Sequence, residues 1–132
     1  MNRLLVVCFV ALSAVTSGAV MAQHAGVMAQ RFPDVIDARV HALGDNRFDF
    51  DATIASPYDT PQRYADAFRV MSPDGKQFGE RTLFHDHANE QPFTRDLYGI
   101  TIPVGIQTVV IQARDKRYGY GGKTIHITLP GR

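Results

Sequence analysis

Residues 47–56 read RFDFDATIAS, and that stretch decides the fold. Phe48, Phe50, Ala52 and Ile54 alternate with Asp49, Asp51 and Thr53. A period of two sends the apolar side chains to one face and the carboxylates to the other, as in a strand with one buried side. Toward the N-terminus, GDN at 44–46 offers a tight turn. Before it VIDARVHAL repeats the alternation, with Ile36, Ala38, Val40 and Ala42 expected inward and Asp37, Arg39 and His41 outward. Toward the C-terminus, YADAFRVM and QFGERTLF flank SPDGK, whose Pro73, Asp74 and Gly75 suit a hairpin turn. PFTRDLYGI follows as a strand, IPVG turns into QTVVIQARD, and YGYGGK is expected to turn into TIHITLP, with Ile125, Ile127 and Leu129 on one face. Strands are thus expected near 35–43, 47–56, 64–71, 77–84, 92–100, 107–114 and 123–129. With no helical stripe and no internal repeat, the fold class is all-β, a single antiparallel sandwich of about seven strands.

The first 22 residues stand apart from this pattern. Asn2 and Arg3 precede the apolar run LLVVCFVALSAV, and SGAVMA ends it in small residues, which predicts a signal peptide cleaved after Ala22. The mature chain would begin at Gln23 in a periplasmic or extracellular space, with an arm at 23–34 and the sandwich at 35–132. Cys8, the one cysteine, falls in the removed segment. The mature domain is therefore expected to be thiol-free, held by its apolar core rather than by disulfides, and without sulfur ligands or a cysteine nucleophile. Without Arg3, thirteen basic side chains meet thirteen acidic ones. That balance argues against binding nucleic acid or an anionic membrane through bulk charge. No second apolar run of membrane length follows, so no membrane span is expected after signal removal, and a monomer is expected.

The last third of the chain carries a resemblance. IPVGIQTVVIQARDKRYGYGGKTIHITLP, residues 102–130, combines a Pro-x-Gly turn, alternating Val and Ile ending in Ala-x-Asp, a Gly-rich segment and a Thr-rich closing strand. It resembles the final two strands of bacterial immunoglobulin-like and fibronectin type III-like domains. The resemblance implies their β-sandwich architecture.

Strand parity places the candidate site. If successive strands run up and down, the turns near Gly44, Asp74 and Pro103 share one end, while SPYDTPQR, HDHANEQP and DKRYGYGG share the other. Loops held on a rigid scaffold commonly carry binding residues. The shared end would gather Tyr58, Asp59, Asp115, Arg117, Tyr118 and Tyr120 with His85, His87 and Glu90.

Two histidines at i and i+2 on extended chain point the same way, so His85 and His87 can offer two imidazoles to one ion. A third ligand from Glu90, His24 or Asp115 would suit copper or zinc. The competing reading is a polar corner in which Glu90 pairs with Arg95 or Arg81. Tyr118 and Tyr120 could stack on a sugar with Arg117 holding an anion, or simply cover the end of the core around the glycines. Asp49 and Asp51 read as a solvated strand face. Neither G-x-S-x-G, H-E-x-x-H nor a phosphate-cradling glycine loop occurs, so no enzyme is expected. The functional expectation is a secreted binding or accessory module whose loop-lined end takes an envelope protein or small ligand. The alternatives are a copper or zinc protein acting through His85, His87 and Glu90, and a carbohydrate-binding module.

Overall fold

The structure is a computed structural model that describes residues 29–132. The expected signal peptide, Gln23 and His24 lie outside the described residues. Seven strands form: β1 (Asp34–Gly44), β2 (Arg47–Ala55), β3 (Ala65–Met71), β4 (Gln77–Thr82), β5 (Phe93–Thr101), β6 (Thr108–Asp115) and β7 (Gly119–Thr128). They pair antiparallel in two sheets, β1-β2-β5 and β4-β3-β6-β7. The fold is an all-β sandwich, as the alternation in β2 implies.

The inward faces fill the space between the sheets. Phe48, Phe50, Ala52 and Ile54 of β2 meet Phe68 and Val70 of β3, Phe93 of β5 and Val109 and Ile111 of β6, all buried. Fully burying one such phenylalanine or isoleucine contributes about 1.5–3 kcal/mol. The core needs no crosslink.

Two expectations require correction. Ile36 does not point inward but is 47 % exposed, because a bulge between Val35 and Asp37 seats Val35 in the core and shifts the alternation behind it. Ala42 is likewise exposed, next to the irregularity that enters the hairpin. The second correction concerns YGYGGK, which is not a turn. β7 already begins at Gly119, and Tyr120 pairs with Arg114 across the β6-β7 ladder. The hairpin closes over only 116–118 because Asp115 Oδ2 accepts the N–H groups of Arg117 and Tyr118 at 2.8 and 2.9 Å. The glycines serve the arm instead. A side chain at Gly121 would meet the Phe32 ring, and one at Gly122 (φ +77) would run into the Pro33 carbonyl. Residues 32–34 lie there against β7, with the Lys123 N–H donating to Asp34 Oδ1 at 2.8 Å.

The two ends of the sandwich differ as strand parity implies. One, the turn end, holds the β1-β2, β3-β4 and β5-β6 connections. At the first of these, Asp45 and Asn46 both have positive φ, the geometry of a two-residue hairpin turn. The other, the loop end, holds residues 56–64, 83–92 and 116–118 together with the arm.

Candidate functional site

The loop end is organised by a cation that sequence reasoning missed. Arg63, from the β2-β3 loop, places Nε 3.1 Å from Asp115 Oδ1, and its Nη2 donates to the carbonyls of Gln30 and Arg31 at 3.0 and 2.6 Å. Its guanidinium lies over Tyr58 at 4.1 Å and over Tyr118 at 5.0 Å from the ring centroids. One side chain thus joins the arm, two loops and the end of β6. Burial opposes ionisation of Asp115, but Tyr58, the N–H groups of Tyr118 and Arg117, and Arg63 outweigh it and hold the carboxyl below the ordinary aspartate value. The Tyr58 phenol is pushed up, first by burial and then by the Asp115 carboxylate.

Asp59 is a second tie. Its Oδ1 accepts from the Ala65 N–H at 3.1 Å and its Oδ2 from the His87 N–H at 3.0 Å, so the β2-β3 loop grips the β4-β5 loop. Gln91 repeats the link, accepting from the Ser56 N–H and donating to the His87 carbonyl at 2.8 and 3.0 Å. Both buried carboxylates at this end are occupied by the chain's own donors.

The segment 85–90 folds as a compact turn, with the Glu90 N–H donating to the His87 carbonyl at 3.0 Å and the Ala88 N–H to Asp86 Oδ2 at 3.2 Å. His87 is only 5 % exposed and stacks on Phe93, centroids 3.9 Å apart and planes 13° from parallel. His85 is exposed, with its ring centroid 4.8 Å from that of His87. Burial, then the charges of Arg95 and His85, push the His87 pKa below the ordinary histidine value, so the ring is neutral at pH 7. Glu90 is held by Arg95 at 3.0 Å, and that hydrogen bond, more than any other influence, keeps its carboxyl below the usual range. Among the described residues, no three histidine, aspartate or glutamate side chains are arranged to hold a metal ion. The rim is marked by Phe84, 83 % exposed, Tyr118, 43 % exposed, and the exposed Arg117.

The candidates are therefore divided. Tyr58, Asp59, Asp115, Arg117, Tyr118, His85, His87 and Glu90 all sit at the loop end. Tyr120 does not: it lies on the outer face of the four-stranded sheet, its hydroxyl donating to Glu80 and its ring under Arg69 at 3.8 Å. Burial and Glu80 push its phenol up. Arg114 extends this network to Asp66 at 2.7 Å. Tyr118 and Tyr120 thus form no common stacking platform. On the opposite outer face Asp37, Arg39, Asp51, Thr53 and Thr94 line a shallow cleft of about 210 Å³. The i, i+2 alternation of β2 could have pointed to that face. Nothing in the sequence around PQR marked Arg63.

No family model matches the chain, and no solved structure matches it. A curated protein of Halomicrobium mukohataei named "Putative lipoprotein" is 33 % identical over 95 residues, which cover 72 % of this chain and 46 % of that protein. The chain spans about half the length of the curated relative it matches.

Proposed function

We propose that this protein is an extracytoplasmic, envelope-associated binding module that works through its loop end and is not an enzyme. The observation that carries the reading is the clamped convergence of three connections around Arg63 and Asp59, with Phe84, His85, Tyr118 and Arg117 left at the rim. A fixed backbone under exposed aromatic and cationic side chains loses little entropy when a partner settles on it. The envelope location draws on the signal-peptide pattern of residues 1–22 and on a relative whose name calls it a lipoprotein. Against catalysis, both oxygens of Asp59 accept backbone N–H groups, and Asp115 accepts two more at Oδ2 while its Oδ1 faces the Arg63 cation, a setting that favours a structural carboxylate over a proton carrier. The module acts as a monomer on an envelope protein or small ligand.

The immunoglobulin-like resemblance narrows in the same direction. In the constant-type immunoglobulin arrangement the fourth strand joins the sheet of the first, second and fifth. Here β4 bonds to β3 in the other sheet, which favours the fibronectin type III-like side of the resemblance. Retention of envelope proteins by the immobilised mature chain tests the reading. Phe84→Ala combined with Arg117→Ala should abolish retention, and Val104→Ala at the turn end should leave it intact. Unchanged retention by the rim double variant would sink it.

A further inference from the structure

We propose that His85 and His87 form a two-imidazole site for a divalent ion of the zinc and copper class, with Glu90 as a third ligand that Arg95 holds away until the ion arrives. This names a ligand for the loop end and so rests on reading that end as a binding surface.

Ring placement comes first. Zinc binds imidazole nitrogen at about 2.0–2.1 Å, so two rings on one tetrahedral ion have centroids about 5 Å apart. His85 and His87 stand at 4.8 Å, tilted by 36°. The two rings already hold the separation that shared coordination requires.

The nitrogens point to the same conclusion. Nδ1 of His85 lies 2.9 Å from the Asp86 carbonyl; donating there fixes its proton and leaves the Nε2 lone pair free. A metal-binding histidine is commonly oriented by such a bond from its other nitrogen. His87 is clamped by its stack on Phe93, is nine-tenths buried, and has a ring nitrogen, Nδ1, buried with no hydrogen-bond partner. A buried polar atom without a partner is a cost, and an ion held at that Nδ1 would remove it.

Glu90 supplies the gate. It belongs to the same turn as His87, through its N–H bond to the His87 carbonyl. Its oxygens face Arg95 at 3.0 and 3.4 Å. An ion must compete with Arg95 for Glu90, so the site should bind more weakly than its ligand set alone would allow.

The test is titration calorimetry of the untagged mature chain with Zn²⁺ and with Cu²⁺. The wild type should take up one ion, and His85→Ala should weaken binding at least about tenfold, since even the loss of a supporting residue around a metal costs about 10–100-fold. Arg95→Gln should tighten binding about threefold or more, and adding Glu90→Gln should cancel that gain. His85 is exposed and Glu90 lies on the surface, so these variants keep the core. No heat with either ion, or equal affinity in His85→Ala, would overturn the site. An unchanged affinity in Arg95→Gln would overturn the gate and the role of Glu90. If no ion binds while retention still depends on Phe84 and Arg117, the ligand is wrong and the binding surface stands. If the ion binds and retention ignores Phe84 and Arg117, the partner reading fails alone.

Discussion

Both ends of the sandwich are closed by an arginine, but by different chemistry. At the turn end Arg132 donates to the carbonyls of Ile102, Pro103 and Ile106 and to Asn46 Oδ1, at 2.6–2.9 Å, with its guanidinium 5.0 Å from the Phe48 ring centroid. None of those acceptors is charged. At the loop end Arg63 faces the fully buried carboxylate of Asp115 and two tyrosine rings. The turn end needs only a cap because its connections are short and set by positive-φ residues such as Asp45 and Asn46. Two of the three connections at the loop end are longer and have little regular structure, and an ion pair with a buried carboxylate supplies the order that turn chemistry does not.

The largest effect should follow from breaking that pair. Asp115→Ala removes the carboxylate facing Arg63 and frees the N–H groups of Arg117 and Tyr118; Arg63 is a quarter exposed and keeps the Gln30 and Arg31 carbonyls, so the loss should fall at the lower end of the about 3–5 kcal/mol for one member of a buried pair. Denaturant unfolding should show that loss, and hydrogen exchange should rise in 57–63 and 116–118 while 44–46 stays protected. Equal loosening at both ends would mean that the pair orders the whole sandwich rather than its loop end.

The difference between the ends also explains what the sequence made legible. Strand existence followed from alternation, and six of the seven strands begin within about a residue of their expected starts, because half-buried strands write their periodicity directly. The meeting of the three loops followed from parity alone. Bulges escaped: nothing in VIDARV announces that Val35 rather than Ile36 turns inward. β7 was placed late because YGYGG has turn composition, whereas Gly121 and Gly122 are there to admit Phe32 and Pro33. Arg63 escaped for a different reason. Its partner lies 52 positions away, on the strand that pairs with β3, and loop arginines are usually solvated.

Arg132→Ala should have a smaller effect. Its hydrogen bonds are charge-assisted, and water can serve the acceptors on Asn46, Pro103 and Ile106 but not the buried Ile102 carbonyl, so a loss of about 1–2 kcal/mol is expected. Exchange should then rise at 44–46 and 102–107 and not at the loop end. A loss as large as that from Asp115→Ala would erase the distinction between a cap and an ordering ion pair.

The finest probe is pH, because the loop end carries two buried groups whose folded pKa values are lowered and the signs can be worked separately. Burial of His87 makes the folded chain resist a proton that the unfolded chain accepts near pH 6.5. Its contribution is therefore fully present above that value and falls away as pH drops through it, levelling off below the folded pKa. Asp115 acts in a lower window: its stabilisation is present above the ordinary aspartate value of 3.8 and is lost as pH falls through the still lower folded value. Denaturation midpoints measured from pH 8 to 3 should show two declines. His87→Phe, which keeps an aromatic ring against Phe93, should flatten the first and leave the second. If the first decline survives the substitution, the titrating group is not His87.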